Sequence, residues 1–175
     1  LRLWLGVQPP PTLPRLGTAA FGGLFGILLT AIVSMLWLGR AASLPFLVAP
    51  MGASAVLLFA VPSSPLAQPW AIVGGNVLSA LCGIFWLKIL PDPLLAAGPA
   101  VASAIAIMSL ARCVHPPGGA CALTAVIGGH AITAAGWQFA WVPVGMNSVL
   151  LVALGWLYHG AMTGNYPHRA ASYVS

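Results

Sequence analysis

Residues 115–120 read His-Pro-Pro-Gly-Gly-Ala, and they interrupt a chain that is otherwise almost free of charge. Consecutive prolines and glycines disfavour a regular helix, because proline lacks an N–H donor and glycine costs conformational entropy. In a bilayer, every backbone N–H and C=O group that leaves a helix needs another partner from protein, water or ligand. A break of this kind at membrane depth is therefore a candidate functional site.

The composition around this break is that of a membrane protein. Of the 175 residues, 60% are hydrophobic and 4% are charged, whereas globular proteins carry about 25% charged residues. Mean hydropathy is +0.99. Residues 41–87 contain no charge, although about 20 apolar residues suffice for one membrane span. We therefore predict an all-α polytopic membrane protein. Its six Lys and Arg residues are scattered and form no basic stripe, so we expect no nucleic-acid partner.

Six apolar segments follow a Pro-rich interfacial stretch at residues 1–16 and precede a polar tail at residues 160–175. We place the segments at residues 17–39, 44–61, 69–90, 94–111, 112–129 and 137–159. Together they form one transmembrane domain, residues 17–159, with a turn-like linker at residues 130–136. Because segments two and five are short and interrupted, four or five spans remain an alternative count.

Segments two and five resemble each other. A shift of 67 positions aligns residues 50–55 with residues 117–122 and repeats a proline, a glycine and two alanines at matching places. An odd number of spans in each half would invert the halves relative to each other, as in many transporters. We therefore expect two inverted three-helix halves, at about residues 17–90 and 94–159. The distribution of Arg and Lys favours an N-in, C-in orientation.

Each break is followed by a helix whose first N–H groups lack an intrahelical acceptor and carry the positive end of the dipole. Such a helix start is a ready anion site. The substrate-binding candidates are the two helix starts and the polar groups beside them: Pro50, Gly52, Ala53, Ser54, Ala55, His115, Pro116, Pro117, Gly118, Gly119, Ala120 and Thr124. Secondary candidates are the polar residues in apolar runs: Gln68, Asn76 and Asn147. The alternative is that the prolines and glycines only kink helices and allow close packing.

His115 is the one ionisable group inside the break motif. It could donate to an anion or carry a proton, or it could cap a neighbouring carbonyl while neutral. Cys113 and His115 make a poor metal motif, because no second pair follows at a recognised spacing. No nucleophile–base–acid set and no nucleotide-binding loop is visible, so we expect no metal, no cofactor and no enzyme activity. The alternatives are a membrane-embedded enzyme that uses His115 with Cys113 or Cys121, and a structural or sensory membrane subunit.

Three strings in this order resemble the HPP family of integral membrane proteins: residues 49–59, residues 64–69 and residues 115–120. The resemblance extends from about residue 17 to residue 167. It implies a membrane domain usually described with four spans, and nitrite transport, which is associated with chloroplast and cyanobacterial members. Where members often carry a basic residue and a histidine, this chain has Trp70 and Asn76.

The resemblance thus implies a transporter or channel for a small monovalent anion, with nitrite as the leading substrate. We expect it in a bacterial inner membrane, with the lipid bilayer and the anion as its partners. Homo-oligomerisation, proton coupling and the choice between channel and carrier stay open at this point.

Overall fold

The computed structural model describes residues 10–39, 44–162, 164 and 166–168, and within these residues the fold is all-helical, as predicted. The helices are α1 (Leu13–Leu38), α2 (Pro50–Ala60), α3 (Pro69–Ile89), α4 (Pro93–Leu110), α5 (Pro116–Ile127), α6 (His130–Ala135) and α7 (Met146–Met162). A 3₁₀ turn at Pro65–Ala67 precedes α3, and a π-helical turn at Ala140–Gly145 leads into α7.

Proline sets the starts of the first five helices. It occupies the first or second helical position in each of α1 to α5. The N–H that proline lacks would have no intrahelical partner there, and its fixed φ suits a helix. Asp92, the one acidic residue of the chain, also caps α4, because its carboxylate accepts a hydrogen bond from the Leu94 N–H at 2.8 Å.

Four helical stretches are long and apolar enough to cross a membrane: α1, α3, α4 and the stretch Ala140–Met162, which is kinked at Val142. By contrast, α2 and α5 have 11 and 12 residues, or roughly 17 Å of helix against a hydrocarbon core of about 30 Å. Segments two and five are helical only from Pro50 and Pro116 onward, since residues 44–49 and 112–115 are not helical. The string at residues 115–120 therefore starts a helix at Pro116 rather than interrupting one. The six predicted segments are therefore four span-length helices and two half-length helices.

Three details of the sequence prediction are wrong. The first helix begins at Leu13, inside the stretch predicted to be interfacial, and the predicted linker at residues 130–136 contains α6. In the predicted surface tail, Tyr166 is buried and its hydroxyl donates to the Ala67 carbonyl oxygen at 2.9 Å. Burial also raises the pKa of the Tyr166 phenol. Residues 1–9 and 169–175 of the predicted terminal segments lie outside the described residues.

The helices pack in two sets. In one set α1 packs against α2 and α7, and in the other α3 packs against α4 and α5. Glycines allow the closest approaches: a Cβ at Gly26 would lie 2.5 Å from the Phe59 ring, and a Cβ at Gly118 would lie 2.9 Å from the Gly75 carbonyl oxygen. No side chain larger than hydrogen fits at these contacts without displacing a neighbour.

The two half-length helices run in opposite directions. The end of α2 lies beside the start of α1, where Phe59 packs on Gly22, whereas the end of α5 lies beside the end of α3, where Ala125 packs on Gly83. The starts of α1 and α3 lie at the same end of the bundle, because α7 and the segment after it bond to both. The breaks before α2 and α5 thus approach the interior from opposite ends.

Candidate functional site

His115 joins the break before α5 to the middle of α2. It directly precedes α5 in an extended conformation, and it is fully buried. Its Nε2 lies 2.8 Å from the Oγ of Ser54 in the second turn of α2, and its Nδ1 lies 2.8 Å from the carbonyl oxygen of Leu66. One side chain therefore connects both half-length helices with the 3₁₀ turn before α3.

These contacts determine where the protons of the His115 ring lie. A carbonyl oxygen only accepts, so Nδ1–H donates to Leu66, and in the neutral ring Nε2 accepts from the Ser54 hydroxyl. Ser54 has a second acceptor, the Pro50 carbonyl oxygen at 3.3 Å. If Nε2 gains a proton, it can donate to Ser54 Oγ while the hydroxyl turns to Pro50. In either protonation state the ring nitrogens therefore have hydrogen-bond partners, while burial without a nearby carboxylate favours the neutral ring.

Asn76 of α3 connects this pair to α5 and α7. Its Nδ2 donates to the Oγ atoms of Ser54 at 3.3 Å and Ser148 at 3.1 Å. Its Oδ1 accepts from the Cys121 thiol at 3.3 Å. The Ser148 hydroxyl in turn donates to the Val144 carbonyl oxygen at 2.8 Å. Asn76 is thus the centre of a network that reaches three other elements.

We call Ser54, Asn76, His115, Cys121 and Ser148 the polar cluster. All five residues have no exposed surface, and none is a carboxylate, a lysine or an arginine. Uncompensated polar groups at membrane depth are costly, and polar groups kept there often mark pathways for ions or substrates. Hydrogen bonds within the polar cluster compensate for the burial of its polar groups. The polar cluster also places several neutral hydrogen-bond donors close together.

A second buried amide, Asn147 of α7, holds the break before α2. Its Oδ1 accepts from the Val48 N–H at 3.2 Å. Its Nδ2 donates to the Phe46 carbonyl oxygen at 3.0 Å and to the Ser34 hydroxyl at 2.8 Å. Asn76 and Asn147, the two amides singled out by sequence, therefore make separate sets of hydrogen bonds. Asn76 contacts both half-length helices, and Asn147 contacts the break before α2.

The predicted backbone donors are partly used within the protein. The Gly52 N–H donates to the Ala49 carbonyl oxygen at 3.0 Å, and the Gly118 N–H donates to the His115 carbonyl oxygen at 2.8 Å. Gly118 is also tightly packed, since a Cβ there would lie 2.7 Å from Ser79 Oγ. At Gly118 the structure therefore matches the alternative of close helix packing.

The other predicted residues divide between the interior and the outer surface. Buried with Ser54 and His115 are Pro50, Ala55 and Pro117. Exposed or partly exposed are Gly52, Ala53, Pro116, Gly119, Ala120 and Thr124. The Thr124 hydroxyl donates to the carbonyl oxygen of Ala120 in its own helix at 2.7 Å. The structure thus brings the polar side chains together, while most of the small residues face outward.

Gln68 lies apart from the polar cluster, in the loop before α3. Its Nε2 donates to the carbonyl oxygens of Pro62 at 3.0 Å and Ser64 at 2.8 Å. Its Oε1 accepts from the His168 N–H at 2.9 Å. Gln68 therefore connects this loop to the segment after α7.

The three cysteines are buried free thiols. In the described part of the chain, no three His, Cys, Asp or Glu side chains gather as metal ligands would. Cys121, weighed from sequence as an enzyme group, donates its S–H to Asn76.

Sequence reasoning missed Ser148, Ser79 and the Leu66 carbonyl. Ser79 lies one helical turn after Asn76, so helical spacing from this amide was an available signal. Ser148 directly follows Asn147, and adjacent residues of a helix do not share a face. The Ser79 hydroxyl is buried beside Gly118 and has no hydrogen-bond partner among the described residues. The Leu66 carbonyl gave no signal, because any residue type supplies one.

The family model of the HPP transmembrane region matches residues 8–167. The chain belongs to the HPP family. Two proteins of Dictyostelium discoideum, both named as transmembrane proteins, are similar to this HPP chain: one is 35% identical over 162 residues and the other 34% identical over 160 residues. Each match covers 86% of this chain and, respectively, 56% and 51% of the relative.

The HPP chain therefore spans about half the length of the curated relatives it matches. No solved structure matches it. The His-Pro-Pro string at residues 115–117 is the part of this HPP protein that connects the two half-length helices.

Proposed function

We propose that this HPP-family chain carries a small monovalent anion across a membrane, as a transporter or channel, with nitrite as the leading substrate. The polar cluster is the observation that carries the proposal. Five uncharged polar side chains are fully buried where the two half-length helices meet. Family membership supports a membrane role, and the substrate is our inference.

Neutral donors suit the passage of a singly charged anion. Amide, hydroxyl, thiol and imidazole groups can stabilise one negative charge in a low dielectric, and conduction requires binding weak enough for release. The donors now bond to one another, so an arriving anion would take over hydrogen bonds from Asn76 and Ser54. Because His115 has contacts that suit either charge state, an anion could pass with a proton as a neutral pair.

We further propose that the fold consists of two inverted three-helix halves that exchange their third helices. The opposite directions of α2 and α5, and the packing of α7 with α1 and α2 but of α3 with α4 and α5, support this arrangement. Arg15 and Arg112 lie at the end where α1 begins, the latter next to Ala111, which bonds Trp70 at the start of α3. This placement favours an N-in, C-in orientation, and we propose a bacterial inner membrane as the location.

Nitrite uptake into proteoliposomes tests the proposal. We expect uptake above empty vesicles, and a decrease of about tenfold in Ser54→Ala or Asn76→Leu, because each removes a donor to a buried charge. Ser103→Ala is the matched control, since this serine bonds Trp86 outside the polar cluster. The absence of uptake above empty vesicles under any gradient would reject the proposal, as would equal uptake by all three variants.

Two further variants test which path the anion takes and whether the chain acts as an enzyme. A Cβ at Gly119 meets nothing within 4 Å, so we expect Gly119→Leu to fold. Retained uptake in Gly119→Leu would assign the path to the polar cluster, and lost uptake would assign it to the start of α5.

We propose no catalytic role for the chain. In Cys121→Ser a hydroxyl replaces the thiol as donor to Asn76, so we expect nitrite uptake to continue. An enzyme that depends on this thiol would lose its turnover.

A further inference from the structure

A cavity of about 360 Å³ with both polar and apolar lining lies at the end of the bundle where α1 begins and where α2 and α7 end. Its polar lining comes from α1, the loop after α2, α7 and the segment after α7, and it includes Arg15, Thr18, Ser63, His159 and His168. Its apolar lining includes Ala19, Phe59 and Ala60. None of these residues belongs to the polar cluster, so the cavity is a second site.

The charge in this cavity is positive. Arg15 carries a fixed charge in the first turn of α1, and His168 adds an imidazole. The chain has a single acidic side chain, Asp92, and it caps α4 at the opposite end of the bundle. No acidic side chain therefore competes for Arg15, whose planar guanidinium matches two oxygens of a phosphate or carboxylate.

An apolar groove of about 390 Å³ continues from the cavity along the face shared by α1 and α2. Ala19, Phe59 and Ala60 line both the cavity and the groove. The α1 wall of the groove extends over residues 16–27, roughly 16 Å of helix, which is about half the thickness of the hydrocarbon core. The cavity and the groove thus form one composite site, in which Arg15 lies at one end and apolar side chains line the rest.

We propose that this composite site binds one anionic phospholipid. Its phosphate contacts Arg15 in the cavity, and one acyl chain lies in the groove between α1 and α2. A soluble phosphate would leave the groove unused, and a zwitterionic lipid would place its own cation beside Arg15. Basic pockets between membrane helices are a recognised way of holding anionic headgroups, and the groove matches the length of one leaflet.

Binding of phosphatidylglycerol to the delipidated protein in detergent tests the headgroup. We expect intact-protein mass spectrometry to detect one dioleoyl phosphatidylglycerol for each chain, and about tenfold weaker binding in Arg15→Gln, because a charge-assisted hydrogen bond is lost. Arg112→Gln is the matched control, since it removes the same charge at the same end but outside the cavity. Phosphatidylcholine with the same acyl chains should bind about tenfold more weakly than phosphatidylglycerol.

Filling the groove tests the acyl chain. Gly23 lines the groove, and a Cβ there meets nothing within 4 Å, so Gly23→Leu should fold and weaken dioleoyl phosphatidylglycerol binding about tenfold. Gly98→Leu on α4 is the control, because a Cβ at Gly98 also meets nothing within 4 Å. If Gly23→Leu does not fold, Ala20→Leu changes the same wall.

Several results would overturn the proposal. If phosphatidylcholine binds as tightly as phosphatidylglycerol, or if Arg15→Gln leaves the affinity unchanged, then charge does not contribute to lipid binding at this site. Inorganic phosphate that raises the melting temperature as much as the lipid would make this a site for a free anion. An oligomer that persists after delipidation and dissociates in Gly23→Leu would assign the groove to a second copy of the chain.

Discussion

The two breaks expose similar backbone groups, but different side chains hold them. Before α2, the Val48 N–H and the Phe46 carbonyl bond to Asn147, a residue of α7. Before α5, the break supplies its own connection, because His115 reaches outward to Leu66 and Ser54. The first break is therefore held by a side chain of a distant helix. The second break is held by its own side chain, His115, which also places an ionisable group in the interior.

The largest expected effect follows from removing the support of the first break. Asn147→Leu keeps a branched side chain but leaves the Val48 N–H, the Phe46 carbonyl and the Ser34 hydroxyl without their partner. We expect about 3 kcal/mol of destabilisation, roughly 1 kcal/mol for each unpaired group. Unfolding by SDS in mixed micelles measures this value.

Ser34→Ala is the control for Asn147→Leu, because it removes one of the three partners. It should cost about 1 kcal/mol. If both variants lose the same stability, Asn147 does not support the break through the Val48 and Phe46 backbone groups.

The next effect comes from the packing of the second break against α3. In Gly118→Ala the new methyl group would lie 2.7 Å from Ser79 Oγ and 2.9 Å from the Gly75 carbonyl oxygen. We expect about 2 kcal/mol of destabilisation, because backbone atoms cannot move aside as a flexible side chain does. The melting temperature of the purified protein measures it.

The adjacent glycine provides the matched comparison for Gly118→Ala. A methyl group at Gly119 meets nothing within 4 Å, and alanine favours a helix over glycine by up to about 1 kcal/mol. Gly119→Ala should therefore equal or exceed the wild-type melting temperature. A similar loss in both variants would mean that helix flexibility, rather than contact with α3, explains the glycines.

The smallest effect on stability should follow from changing His115. His115→Leu leaves the Leu66 carbonyl unpaired, but Ser54 can turn to the Pro50 carbonyl oxygen at 3.3 Å. We expect about 1 kcal/mol of destabilisation, together with loss of nitrite uptake in proteoliposomes. A larger destabilisation than in Asn147→Leu would reverse our comparison of the two breaks.

Much of the fold could be predicted from the sequence because its signals are local. Apolar length predicted six segments, of which four are long enough to span a membrane, and consecutive Pro and Gly predicted the break before α5. The break before α2 was predicted from the shift that aligns residues 50–55 with residues 117–122. The half-length helices also follow, since α2 and α5 start at proline and are too short to cross the membrane.

The side-chain partners could not be predicted in the same way. Ser54 and His115 are 61 positions apart, and Asn76 and Ser148 are 72 apart. Such pairs depend on how the helices pack, which apolar periodicity does not specify when helices are hydrophobic on every side. The inward or outward orientation of Gly118 and Gly119 depends on the same packing.

The hydrogen bond from the Val48 N–H to Asn147 also constrains how the protein is made. Its two residues are 99 positions apart in the chain, and a ribosome adding about 5 to 20 residues per second needs about 5 to 20 s to synthesise that length. Until then, the backbone before α2 has no access to its final partner. The hydrogen bonds that hold the break before α2 can therefore form only after Asn147 has been synthesised.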